Sequence, residues 1–129
     1  MITAIDTNVL VDLMGQRAKA IDALAQAALQ GQLIICEIVY AELCAGMTVK
    51  DVEGLCQDFG ITLVRSSPQA LGLAGEIWRD YRARAGRRER VLADFMVAAH
   101  AVKHADRFLT SDRGFYRNYF KNLSIMSID

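Results

Sequence analysis

The stretch from Ile2 to Met14, ITAIDTNVLVDLM, decides how the rest of the chain is read. Ile2 to Ile5 is short, apolar and rich in β-branched residues, which predicts a strand. Val9 to Met14 then predicts a short helix or turn ended by Gly15. Between them stands Asp6, at the carboxyl end of the predicted strand, where open α/β sheets place their ligand sites.

The same alternation continues along the sequence. Arg17 to Leu29 predicts an amphipathic helix with Ile21, Leu24 and Leu29 on its apolar face, closed by Gly31. A second strand, Leu33 to Cys36, precedes a helix from Glu37 to Ala45, and Thr48 is placed to cap a further helix from Val49 to Phe59, stopped by Gly60. Ile61 to Val64 is a third strand. Ser67-Pro68 opens a long helix to about Ala85, with serine at the N-cap and proline at the first helical position. Leu92 to Ala105 is a nearly all-apolar helix, Arg107 to Thr110 a fourth strand, and Leu123 to Ile128 a final edge strand. Strands alternating with helices predict an α/β fold with a central parallel sheet.

At 129 residues the chain is expected to fold as one domain, residues 1–129. Hydrophobic residues make up 53% and a single proline is present, which excludes extended disorder. The 15 basic and 15 acidic residues cancel, so a protein that holds polyanions through bulk charge is excluded and any nucleic-acid contact must be local. Cys36, Cys44 and Cys56 lack the paired spacing of a zinc or redox motif and are expected to be reduced. The opening residues lack a basic region and a cleavage site, and no apolar run reaches the roughly 20 residues of a membrane span. A cytoplasmic, soluble protein is expected.

Four acids stand where ordinary surface placement explains them poorly. Asp6 and Asp112 each follow a predicted strand, Asp94 lies in the first turn of an apolar helix, and Glu42 sits between Ala41 and Leu43 inside another. Converging carboxylates repel, and a hard divalent cation with oxygen ligands, Mg²⁺ or Mn²⁺, relieves them best. Such an ion lowers the pKa of a bound water and neutralises charge developing on a phosphodiester, which is hydrolytic nuclease chemistry. Taken singly, each has a plainer reading: turn or cap residues for Asp6 and Asp112, a helix-dipole partner for Asp94, and a surface-reaching side chain for Glu42. Glu37 competes with Glu42 but lies five positions away, on another face, in a first turn that already favours an acid. No serine or cysteine nucleophile stands beside His100 or His104 in the sequence.

Four segments, IDTNVLVDL, YAELCAG, LADFMVAAHA and FLTSDRGF, in this order and at these separations, resemble the PIN-domain family and in particular its VapC-type toxins. The resemblance covers essentially the whole chain. It implies a three-layer α/β/α arrangement and an RNA-cleaving divalent-metal site formed by Asp6, Glu42, Asp94 and Asp112. It further implies supporting roles around that site for Thr7, Asn8, Thr110 and Ser111, a homodimer, and a VapB-like antitoxin as partner. Two departures stand out. Gly114 replaces a further acid carried by many relatives, and Cys36 replaces the Ser or Thr that often opens the helix bearing the acidic Glu.

Arg87, Arg88 and Arg90 form the basic cluster just before the Asp94 helix, where they can hold RNA phosphates or make ordinary surface pairs. Arg79, Arg82 and Arg84 are expected on a wet helix face, with Trp78 and Tyr81 used for packing or a dimer contact. Two rivals share part of this pattern. A phosphorylation-receiver domain also sets acids and Mg²⁺ at a parallel sheet edge, but it needs a late lysine and leaves Glu42 unexplained. A catalytically silent binding module of the same fold would be expected to have lost a core acid.

Overall fold

A computed structural model describes residues 1–84 and 90–128. Five strands, β1 (Ile2–Ile5), β2 (Gln32–Ile35), β3 (Ile61–Leu63), β4 (Arg107–Thr110) and β5 (Ile125–Ser127), form one sheet in the order β3-β2-β1-β4-β5. Every pairing is parallel, with Thr3 opposite Leu33 on one side and Arg107 on the other. Parallel strands need crossovers, and helices supply them on both faces. These are α1 (Thr7–Met14), α2 (Ala18–Gln30), α3 (Glu37–Cys44), α4 (Val49–Phe59), α5 (Pro68–Arg84), α6 (Leu92–His104) and α7 (Arg113–Tyr119).

The chain steps outward from β1 through β2 to β3, then returns to the far side of β1 to lay down β4 and β5. The strand order therefore reverses between β1 and β4. Ligand crevices of open α/β sheets form at such a reversal, beyond the carboxyl ends of the strands. Asp6 and Asp112 are the residues that leave β1 and β4 there.

Local chemistry accounts for most boundaries. Thr48 accepts from the Asp51 N–H at 3.1 Å while Asp51 accepts from the Thr48 N–H, a capping box, and Gly60 ends α4 in the left-handed region at φ 66°. Ser67 Oγ accepts from the Ala70 N–H at 3.2 Å and opens α5 ahead of Pro68. Gly31 turns the chain from α2 into β2 at φ 150°, where a Cβ would fall 1.8 Å from the Met1 carbonyl oxygen. Only glycine fits that approach.

The core is the apolar inner surface of β1, β2 and β4 closed by α6, which packs on β1 and β4 and presses against α5. His100 is buried in α6 and bonds the Val64 carbonyl at 2.6 Å, and His104 accepts from the Ser67 N–H at 3.0 Å, so both histidines tie the β3–α5 connection to α6. Tyr81, Phe95, Phe115 and Tyr119 form an aromatic cluster where α5, α6 and α7 meet. Arg79, Arg82 and Arg84 are exposed as expected, with the Arg82 guanidinium 4.7 Å over the Trp78 ring.

Two expectations change, and one element is added. The buried face of α2 is Ala20, Ala23, Leu24 and Ala27, while Ile21 is 42% and Leu29 88% exposed. Small side chains let the helix approach closely, so the alanine stripe wins over the larger residues. The stretch after Asp112 forms α7, which places Tyr116 in the core, with Phe120 buried just beyond its end. Glu42 lies on the exposed side of α3, whose buried residues are Val39 and Leu43. Its setting is thus not the costly apolar one that its sequence neighbours suggested.

Candidate metal centre

Asp6 is the anchor of the site. It is only 6% exposed, and its carboxylate accepts from the Thr7 N–H at 2.8 Å, the Thr110 hydroxyl at 2.7 Å and the Asn8 amide at 3.2 Å. The Asp6 N–H in turn donates to the Leu109 carbonyl at 2.9 Å, carrying the β1–β4 pairing up to the site. Burial pushes the Asp6 carboxyl up to about 6, with Glu42 and Asp112 adding repulsion and the Thr110 and Thr7 hydrogen bonds opposing the rise. No cation pairs with it among the described residues.

The polar neighbours form one connected frame. Thr7 donates its hydroxyl to Glu42 at 2.7 Å, linking the start of α1 to α3. Asn8 accepts from the Ser111 N–H at 3.3 Å, and Thr110 Oγ1 accepts from the Asp112 N–H at 3.0 Å while donating to Asp6. Thr7, Asn8 and Thr110 thus engage the acids through their side chains, while Ser111 reaches only Asn8, through its backbone N–H.

Asp94 has two jobs in view. One carboxylate oxygen accepts from the Val91 N–H at 3.1 Å, which caps the start of α6. Its charge also acts on Arg90 and on Tyr116, the same groups that Asp112 acts on. Asp112 pairs with the Arg90 guanidinium at 2.7 Å, and Arg90 lies 4.1 Å over the Phe115 ring. Tyr116 is buried behind the acids, and burial together with Asp6, Asp94 and Asp112 drives its phenol far above the ordinary range, so it stays protonated.

The four predicted acids therefore surround one end of the sheet. Among the described residues, no three His, Cys, Asp or Glu side chains stand close enough to hold an ion as they are placed. The donor chemistry nevertheless fits a hard divalent cation: the donors are all oxygen, and the buried Asp6 carboxylate lacks a cationic partner. Cys36 opens α3 with no side-chain cap hydrogen bond, as its replacement of Ser or Thr implied, and Gly114 is exposed with open space where a Cβ would be. Arg87 and Arg88 lie outside the described residues. Sequence reading did not single out Tyr81, Phe115 or Tyr116 for the site; Phe115 lies inside the FLTSDRGF segment, but nothing local tells a ring under a guanidinium from a core ring.

An all-parallel sheet with carboxylates around its strand-order reversal defines an α/β protein with an acidic site at the sheet's carboxyl edge. The PIN-domain family model matches residues 3–121, and the chain belongs to that family. Among solved structures it is similar in fold to VapBC2 from Rickettsia felis bound to a promoter DNA fragment, at 20% identity, covering 100% of both chains with a TM-score of 0.79. VapBC-1 from nontypeable Haemophilus influenzae has 22% identity over 99% of this chain and 98% of its own, with a TM-score of 0.79. A toxin-antitoxin complex from Klebsiella pneumoniae has 17% identity over 98% of each chain, with a TM-score of 0.71. No curated protein sequence matches the chain.

Proposed function

We propose that this protein is a divalent-cation-dependent endoribonuclease, the toxin of a toxin–antitoxin pair. The observation that carries the reading is the buried, hydrogen-bonded Asp6 carboxylate facing Glu42 and Asp112 at the strand-order reversal. Membership of the PIN family sets aside the phosphorylation-receiver alternative. The solved neighbours, two VapBC assemblies and a toxin-antitoxin complex, support an antitoxin partner for this chain. We extend the reading to a cytoplasmic homodimer whose contact is made by apolar helix surface rather than disulfides. The dimer's mass in light scattering should not change with reductant.

Mg²⁺ or Mn²⁺ would be held by Asp6, Glu42, Asp94 and Asp112. The cation would supply Lewis acidity, stabilising charge on the phosphodiester and lowering the pKa of a water so that it can act as a hydroxide nucleophile. The chain's part is to keep the carboxylates in place. Thr110 and the Thr7 N–H fix Asp6, the Thr7 hydroxyl fixes Glu42, and Thr110 also holds the Asp112 backbone. Asp94 keeps one oxygen free of its capping contact. Preset carboxylates reduce the reorganisation needed when cation and substrate arrive.

The test is cleavage of a mixed RNA pool by rigorously purified protein. Activity should disappear with EDTA, return with Mg²⁺ or Mn²⁺, and be absent from Asp6→Asn. Equal cleavage with chelator, or an active Asp6→Asn protein, would reject the metal mechanism.

A further inference from the structure

Arg90 is built into its position more firmly than a rim arginine needs to be. The Tyr81 hydroxyl accepts from its N–H at 3.2 Å, the Phe115 ring lies 4.1 Å beneath its guanidinium, and Nη1 reaches Asp112 Oδ2 at 2.7 Å. Asp94 attracts the same guanidinium. A cation–π face and a carboxylate on one guanidinium fix its orientation as well as its charge. Among the described residues it is the cation paired with a site carboxylate, and it is paired with one of the two acids that leave the strand-order reversal.

We infer that Arg90 is an internal counter-ion for the acidic site, holding Asp112 in the metal-free protein and competing with the divalent cation for that carboxylate. The inference rests on the metal-site reading above. The guanidinium holds Asp112 through one carboxylate oxygen at 2.7 Å, and a dication taking up the same carboxylate would meet the repulsion of that fixed positive charge, so each weakens the other's hold. The exchange is accessible because the pair is not sealed: the Arg90 and Asp112 side chains retain 31% and 34% of their exposure. Solvent screens such a pair, so the competition is modest and reversible.

The experiment is calorimetric titration of Mn²⁺ into metal-free wild type, Arg90→Gln and Arg90→Lys, without RNA. Removing the guanidinium should tighten Mn²⁺ binding by about threefold to fivefold, the range of a partly exposed ion pair. Lysine, which keeps the charge but lacks the planar fork, should fall between the two. Affinities equal within about twofold in wild type and Arg90→Gln, or weaker binding by the variant, would overturn the inference while leaving the metal site intact. Absence of Mn²⁺ binding in every protein, or binding unaffected by Asp6→Asn, would instead reject the metal-site reading and the inference with it. A second measurement needs no variant. The Arg90 Nε–Hε resonance of the wild type should move as Mg²⁺ is added, with the same midpoint as metal binding, and a stationary resonance overturns the exchange.

Discussion

The hydroxyl of Thr110 donates to Asp6 at 2.7 Å across 104 residues of sequence while accepting from the Asp112 N–H at 3.0 Å. One buried hydroxyl thereby sets the carboxylate leaving β1 and the backbone of the acid leaving β4. Replacing it with a group of the same shape but no oxygen, Thr110→Val, removes one of three donors from Asp6 and takes this acceptor from the Asp112 N–H. The expected cost is about 1–3 kcal/mol of stability, read from urea denaturation in EDTA. Thr110→Ser should recover most of it. RNA cleavage should fall with Val and persist with Ser, and an unaffected Thr110→Val protein would show that the bond is dispensable.

The pH dependence follows from Asp6. Its carboxyl rises from 3.8 to about 6 on folding, chiefly through burial, so between those values the folded state holds a proton that the unfolded chain has released. The stability tied to this group is therefore complete below about pH 4 and lost as pH rises through about 6. The whole effect is on the order of 3 kcal/mol at most. Metal-free Asp6→Asn should melt no lower than wild type at pH 7.5 and lose that advantage near pH 4. A steeper loss of stability for Asp6→Asn than for wild type between pH 4 and 7 would contradict this assignment.

Asp94→Asn separates the two jobs of that residue. Asparagine keeps an acceptor for the Val91 N–H, so the metal-free variant should lose only the helix-dipole term, about 0.3–1 kcal/mol, offset by relief of repulsion in the site. Cleavage should collapse, and the rise in melting temperature on adding Mg²⁺ should shrink. If the Mg²⁺ increment and the RNA cleavage both survive, Asp94 is a cap and nothing more.

Cys36 invites a local repair. It is buried at the N-cap of α3, burial pushes its thiol up to about 11 with the Val39 and Ile38 N–H groups opposing the rise, and its sulfur makes no cap hydrogen bond of full geometry. Cys36→Ser supplies a better acceptor for the helix N–H groups and should stabilise the protein by up to about 1 kcal/mol. In the native wild type, iodoacetamide should label the half-buried Cys44 and Cys56 well before Cys36. Rapid native labelling of Cys36 would show that its burial is misjudged.

Much of this architecture was legible along the chain. The runs Ile2–Ile5 and Arg107–Thr110, the Ser67-Pro68 opening of α5 and the Gly60 stop of α4 are local signals, because strand and helix periodicities and caps involve neighbours a few residues apart. Asp6 and Asp112 were legible for the same reason, since a strand's carboxyl end is visible wherever its apolar run stops. The alanine face of α2 was not, because a large exposed Leu29 and a small buried Ala27 are told apart only by how close the sheet lies.

By itself, then, the sequence determined an alternating α/β chain and the four acids to watch. Tertiary structure alone decided that β4 lies beside β1 rather than beyond β3, and with it which side chains meet. Thr110 reaches Asp6, Thr7 reaches Glu42, and Arg90 closes on Asp112 over Phe115. The first two contacts join distant segments, and all three depend on strand order and helix placement, which are set by burying the whole apolar core at once. Short-range periodicity carries no record of that global packing.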